Sequence, residues 1–209
     1  MSNILITGAS GFIGSFIVEE ALRRGMNVWA AVRHTSSRRY LTDKRINFME
    51  LDFSSSERLR KSLGHHTFDY VVHAAGVTKC LHRDDFHRVN TLGTKNLVDA
   101  LLALQMPLRR FVFISSLSVY GAVCERQPYR DISENDIPRP NTAYGRSKLE
   151  AERYLESIGN DFPYIILRPT GVYGPREKDY FLMARSIASH VDFAVGYRRQ
   201  DITFVYVKD

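Results

Sequence analysis

The chain has 209 residues, 44% of them hydrophobic and 25% charged, the proportions of a globular domain rather than of a disordered, collagenous or disulfide-built chain. Its formal charge is +6, from 29 lysines and arginines against 23 aspartates and glutamates. Such a charge suits nucleic acid, an anionic membrane or a phosphorylated small molecule, but the basic residues are spread along the chain with no nucleic-acid motif. No apolar run approaches the roughly 20 residues that span a bilayer. The N-terminus enters Ile4-Leu5-Ile6 without a signal-peptide pattern. Two cysteines, Cys80 and Cys124, fit neither a disulfide framework nor a zinc site. The expectation is a cytoplasmic protein with neither nucleic acid nor a membrane as partner.

In chain order, residues 3–7 read as a buried strand and 12–24 as a helix, with Ile13, Phe16, Ile17, Glu20 and Ala21 along one side and Gly25 as its stop. Strand-like runs follow at 28–32, 46–51, 70–74, 111–115 and 164–167. Helical patterns fall between them at 57–63, 86–104 and 142–158. Residues 124–141, with Pro128, Pro138 and Pro140, read as a loop; a helix at 180–189 and a strand-like run at 202–207 close the chain. Alternating strands and helices predict an α/β fold, a doubly wound parallel sheet of the Rossmann type. Such sheets bind ligands beyond the carboxyl ends of their strands, where strand order reverses.

The first strand runs directly into Gly8, Gly11 and Gly14, spaced G-x-x-G-x-x-G, and these open the first helix. Glycines there allow a tight turn and a close approach of backbone to pyrophosphate, and the helix start offers free N–H groups. The turn residues Gly8, Ser10, Gly11, Phe12, Ile13 and Gly14 are therefore candidate dinucleotide ligands. An acidic residue at the end of the second strand would select NAD. Arg33 stands there instead, followed by Ser36, Ser37, Arg38 and Arg39, and arginine pairs readily with a 2′-phosphate. NADP is favoured, with NAD as the alternative.

Tyr144 and Lys148 share a helix face. An ammonium beside a phenol favours the phenolate, which prepares a tyrosine for proton transfer during hydride transfer. The same spacing occurs at Tyr40 and Lys44, but only Tyr144 follows a strand ending in hydroxyls, Ile114-Ser115-Ser116-Leu117-Ser118. His65, His66, His82 and His87 are scattered, so no metal is expected.

The ordered motifs TGASGFIG, HAAG (73–76), VNTLGTKNL (89–97), ISSLSVYG (114–121), YGRSK (144–148) and LRPTGVYGP (167–175) resemble the extended short-chain dehydrogenase/reductase family. The resemblance covers nearly the whole chain. It implies Ser116 as the catalytic hydroxyl, ahead of Ser115 and Ser118, Tyr144 as acid/base, and Lys148 as its activator and a ligand of the nicotinamide ribose. It further implies Asp52 and Phe53 beside the adenine, Ala74, Ala75 and Gly76 as the cofactor wall, and Asn90 as a support of the active-site backbone. Pro169, Thr170 and Val172 would flank the nicotinamide, and Thr78 and Lys79 fall where substrate contacts often begin. Family members usually continue beyond the segment resembled by 202–209. The expected organisation is thus a Rossmann domain over 1–175 and the beginning of a smaller, truncated substrate domain over 176–209. The implied activity is epimerase/dehydratase chemistry on a sugar, nucleotide-linked, in a possible homodimer. The alternatives are an NADPH-dependent ketone or aldehyde reductase of the same fold, and an NADP-sensing regulator without turnover.

Overall fold

A computed structural model describes residues 1–121, 130–191 and 202–209. Strands β1 (Asn3–Thr7), β2 (Asn27–Val32), β3 (Asn47–Glu50), β4 (Tyr70–His73), β5 (Arg110–Ile114) and β6 (Tyr164–Leu167) form one sheet in the order β3-β2-β1-β4-β5-β6. Every neighbouring pair is parallel. The chain builds outward from β1 through β2 to β3, then returns to place β4 on the other side of β1. The reversal lies between β1 and β4, as a doubly wound sheet requires.

The strands read as continuous apolar runs because both sheet faces carry cores. Leu5 joins Leu59 and Leu63 of α2 (Ser56–Leu63), Leu97 and Leu101 of α4 (Gly93–Ala103), and Leu155 of α5 (Ala143–Ile158) on one face. Its neighbours Ile4 and Ile6 face the other way and meet Val18, Ala21 and Leu22 of α1 (Phe12–Arg23). Each fully buried leucine or phenylalanine contributes roughly 1.5–3 kcal/mol. Side-chain caps start two of the helices: Ser55 Oγ accepts from Glu57 N at 3.2 Å, and Thr142 Oγ1 from Gly145 N at 2.9 Å.

Residues 86–104, expected as one helix, are three pieces. Helix α3 (Arg83–Phe86) leads into a π-helical stretch, His87–Leu92, and then into α4. A short 3₁₀ turn, Leu117–Val119, follows β5. An unexpected strand, β7 (Gly171–Tyr173), pairs in parallel with β8 (Phe204–Tyr206) to make a separate two-stranded sheet. Three residues beginning with glycine give no readable alternation. The expected loop at 124–141, and Cys124 with it, lies partly outside the described residues. Helix α6 is Asp179–Ala188. No described helix is long and apolar enough to cross a membrane.

Candidate active site

With all six strands parallel, the segments that follow them share one edge of the sheet. In spatial order these are Asp52 after β3, Arg33 after β2, Gly8 after β1, Ala74 after β4, Ser115 after β5 and Arg168 after β6. Most of the expected site residues therefore lie along one line.

At the middle of that line is the glycine turn. Gly8 has φ +67°, and a Cβ there would sit 2.5 Å from the Ala74 carbonyl oxygen. A Cβ on Gly14 would collide with the same turn's Gly8 carbonyl. Both glycines are required by internal packing. Gly11 differs: it is exposed, its backbone is extended, and a Cβ would meet only the Gly8 oxygen at 3.1 Å. No side chain caps α1, so the N–H groups of its first turn, around Phe12, Ile13 and Gly14, have no side-chain acceptor. Ser10 is half-buried beside them.

A chain of buried polar groups runs from β1 to α5. Ala75 N–H donates to Thr7 Oγ1 at 3.2 Å, and Thr7 Oγ1 lies 2.7 Å from His73 Nδ1. His73 Nε2 lies 3.0 Å from Thr94 Oγ1, whose hydroxyl donates to the Asn90 carbonyl at 2.6 Å. Because Thr94 spends its proton on that carbonyl, the network assigns the histidine proton to Nε2. The Asn90 side chain accepts from Val77 N–H at 2.8 Å and donates to Val77 O and Ser147 Oγ, both at 3.0 Å. Ser147 Oγ in turn donates to the Tyr144 carbonyl at 2.8 Å. Burial and the nearby Lys148 charge lower the pKa of His73 to about 3, so it is neutral. Neither Thr7, Thr94 nor Ser147 stands out in the sequence, because buried hydroxyls carry no pattern.

Ser116, Tyr144 and Lys148 come together at the β5 end of the line. Ser116 Oγ caps the 3₁₀ turn, accepting from Ser118 N at 3.1 Å, and lies 3.1 Å from Ser118 Oγ. Ser115, the neighbouring candidate, points away: it is 3% exposed and donates to Glu152. Lys148, 4% exposed, donates to the Ile114 carbonyl at 2.8 Å and lies 4.8 Å from the centre of the Phe113 ring. Burial brings its pKa down to about 8, against the opposing pull of Glu152. The expected lowering of Tyr144 is not found. Burial raises its pKa, and the Ser116 hydroxyl offsets this only in part. The physical reason is that the ammonium is turned toward Ile114 and both groups have lost water.

The adenosine end is more open. Arg33 is exposed, and its N–H donates to Ser36 Oγ at 3.0 Å. The Arg38 guanidinium lies 4.3 Å over the Phe48 ring. Asp52 accepts from Ser54 N at 2.9 Å and pairs with Arg58 at 2.5 Å; these bonds lower its pKa to about 2, so it is ionised. The Phe53 carbonyl accepts from Asn96 at 2.8 Å. Gly76 packs so closely that a Cβ would lie 3.0 Å from Asn90 Oδ1 and 3.3 Å from Lys148 Nζ. Pro169 O accepts from Leu117 N at 2.9 Å, Thr170 Oγ1 donates to Thr203 O at 2.7 Å, and Val172 pairs with Val205 in β7–β8. Lys79, next to Thr78, reaches Asp179 at the start of α6 at 2.6 Å. Sequence reasoning missed the ion pair between the buried Glu152 and the half-buried Arg168, one turn along α5 from Lys148; its only signal was an acidic residue one turn past Lys148 on a buried helix face.

The doubly wound sheet, the glycine turn and the Tyr-x-x-x-Lys helix define the extended class of short-chain dehydrogenases/reductases. Within that class, the chain belongs to the NAD dependent epimerase/dehydratase family, whose model matches residues 4–209. It is 32% identical over 197 residues to a UDP-glucose 4-epimerase of Vibrio cholerae, an alignment covering 90% of this chain and 57% of that protein. It is 33% identical over 187 residues to a GDP-6-deoxy-D-mannose reductase of Pseudomonas aeruginosa, covering 87% of this chain and 56% of the relative. The chain thus spans little more than half the length of these relatives. Among solved structures, it superimposes on Thermotoga maritima UDP-glucose 4-epimerase with UDP-glucose at a TM-score of 0.84 and 25% identity, over 99% of this chain and 70% of the other. The Thermus thermophilus UDP-glucose 4-epimerase complex with NAD gives 0.83 and 27%, over 98% and 70%.

Proposed function

We propose that this chain is the cofactor-binding and proton-transfer part of an enzyme that epimerises a nucleotide sugar, a UDP-hexose first. The observation that carries the reading is the gathering of Ser116, Tyr144 and Lys148 on the same sheet edge as the open glycine turn. Gly11 fits the cofactor reading: its own fold leaves it exposed beside an uncapped helix start, which is the space a pyrophosphate needs. When bound, the dinucleotide supplies hydride exchange at a substrate carbon. Tyr144 takes the proton from the substrate hydroxyl, or returns it, and Ser116 holds that oxygen beside the phenol. Lys148 keeps a positive charge next to Tyr144 and holds the cofactor's ribose. Residues 1–175 carry the cofactor, and 176–209 begin the substrate side. A homodimer would pair through the helices bearing Asn90 and Tyr144.

The test is incubation with UDP-glucose and a catalytic amount of NAD or NADP, followed by identification of the product sugar. Epimerisation predicts a sugar inverted at one carbon with no net change in cofactor absorbance. Stoichiometric consumption of reduced cofactor would replace the epimerase reading with the reductase one. A specific observation favours keeping that second reading: Arg33 and Arg38, with no acidic residue at the end of β2, suit the 2′-phosphate of NADPH, and one relative is named a reductase.

A further inference from the structure

Glu152 lies on α5 one turn beyond Lys148, at 0% exposure. Arg168 clasps it from the end of β6, with Nη2 at 2.8 Å from Oε2 and Nε at 3.1 and 3.2 Å from the two oxygens. Ser115 donates to the same carboxylate from the end of β5. The remaining Arg168 nitrogen, Nη1, donates to the buried Tyr120 hydroxyl. The two strand ends also run side by side, joined by Ser115 N to Leu167 O at 2.7 Å and Leu117 N to Pro169 O at 2.9 Å. Glu152 therefore touches each of the elements that must stay in register for Ser116 to meet Tyr144 and Lys148.

A fully buried carboxylate, even one paired with the half-buried Arg168, is a poor choice for stability alone, since packed apolar residues of similar volume usually do as well or better. The surroundings of Lys148 give the carboxylate a use. Around the ammonium are the Ile114 carbonyl and Phe113 ring from β5, the neutral His73 from β4, and Gly76, packed between Lys148 and the Asn90 amide of the π-helical stretch. Arg168 adds a second cation behind them. Glu152 is the anion whose charge acts on Lys148.

We propose that Glu152 is a positioning residue for the Tyr144–Lys148 pair: held by Arg168 and Ser115, it locks α5 against the ends of β5 and β6 and supplies the negative charge that offsets the buried Lys148 ammonium. Its catalytic relevance rests on the proton-transfer reading above, but its effect on Lys148 is measurable without turnover. The experiment is a pH titration of the chain labelled with ¹³C at the lysine ε-carbon, with the Lys148 signal identified by its loss in Lys148→Met. Wild-type Lys148 should titrate near pH 8. In Glu152→Gln the midpoint should fall by about one unit or more, and in Glu152→Asp, which keeps the charge, it should stay near the wild-type value. Since Glu152→Gln leaves Arg168 unpaired and can unfold the chain, Glu152→Gln/Arg168→Gln is titrated beside Arg168→Gln, and its midpoint should lie below that of Arg168→Gln. A folded double variant with the same Lys148 midpoint as Arg168→Gln overturns the proposal. In turnover assays the high-pH limb should move down in Glu152→Gln and return in Glu152→Asp. If Tyr144→Phe turns over normally while the lysine midpoint still shifts, the proton-transfer reading fails and the Glu152–Lys148 coupling stands.

Discussion

Two tyrosines begin a Tyr-x-x-x-Lys spacing, and the structure separates them. Tyr144 is largely buried beside Ser116, one helical turn from Lys148. Tyr40 lies in the β2–β3 connection with its ring between two guanidinium groups, Arg39 at 4.3 Å and Arg176 at 4.6 Å. Arg176 also stacks on Phe16 at 4.3 Å and donates to Ser15 Oγ at 2.9 Å, so the Tyr40 ring belongs to the packing of α1. Tyr144→Phe should therefore lower turnover by about 10²–10⁴-fold, the usual contribution of a positioned acid/base, with cofactor affinity little changed. Tyr40→Phe keeps its ring and should leave turnover as it is. Steady-state rates of the two variants check this, and the reverse pattern would move the active site. A second contrast concerns the glycines. Gly11 has φ −79° and ψ 178°, a conformation that valine adopts readily. Gly11→Val should give a folded chain that no longer binds dinucleotide, whereas Gly8→Val should not fold, because its collision is with the Ala74 backbone. Circular dichroism and calorimetric titration together distinguish these outcomes.

At the scale of elements, the six sheet strands and the helices α1, α2, α5 and α6 were legible because each buries an apolar face long enough to show its period. The π-helical stretch was not. Its extra residue in one turn shifts the register without changing which residues are apolar. Yet it carries Asn90, whose side chain makes three bonds that tie Val77 to Ser147. Such wide turns often occur at functional sites. Asn90→Ala removes the acceptor of the half-buried Val77 N–H and should cost about 1 kcal/mol, with faster amide exchange at Val77 and weaker cofactor binding. Urea titration and hydrogen exchange measure these effects. Unchanged exchange at Val77 would mean that the turn after β4 holds itself. The strand β7 was also illegible, because its partner β8 lies some thirty residues away and neither is longer than three residues. At the site, Tyr144, Lys148 and the glycines were readable from spacing. The Glu152–Arg168 pair was not, because ion pairing between α5 and a strand end depends on tertiary placement alone.

At the scale of the whole molecule, one histidine links the two halves of the sheet edge. His73 is neutral in the folded chain with a pKa of about 3, against 6.5 when solvated. A folded-state pKa below the unfolded one means that the unfolded chain takes up the proton first as pH falls. Stability is then full above pH 6.5 and is lost toward pH 3. The loss between pH 7 and 5 should be about 2 kcal/mol from this residue. The carboxylates with lowered pKa, such as Asp52 and Asp136, titrate below that window. Denaturant midpoints at pH 7 and 5 should therefore differ in the wild type and nearly coincide in His73→Asn, whatever the absolute stability of the variant. An equal slope in both would mean that another group binds the proton.

The central claim, a dinucleotide lying along the carboxyl edge from Arg33 through the glycine turn to Lys148, is tested most directly by calorimetric titration of the chain with NADP and with NAD. The chain should bind both, NADP more tightly, with Arg33→Asp reversing the preference and Gly11→Val abolishing binding of either. Binding that survives Gly11→Val unchanged, or no binding of either dinucleotide by the folded wild-type chain, would contradict the account.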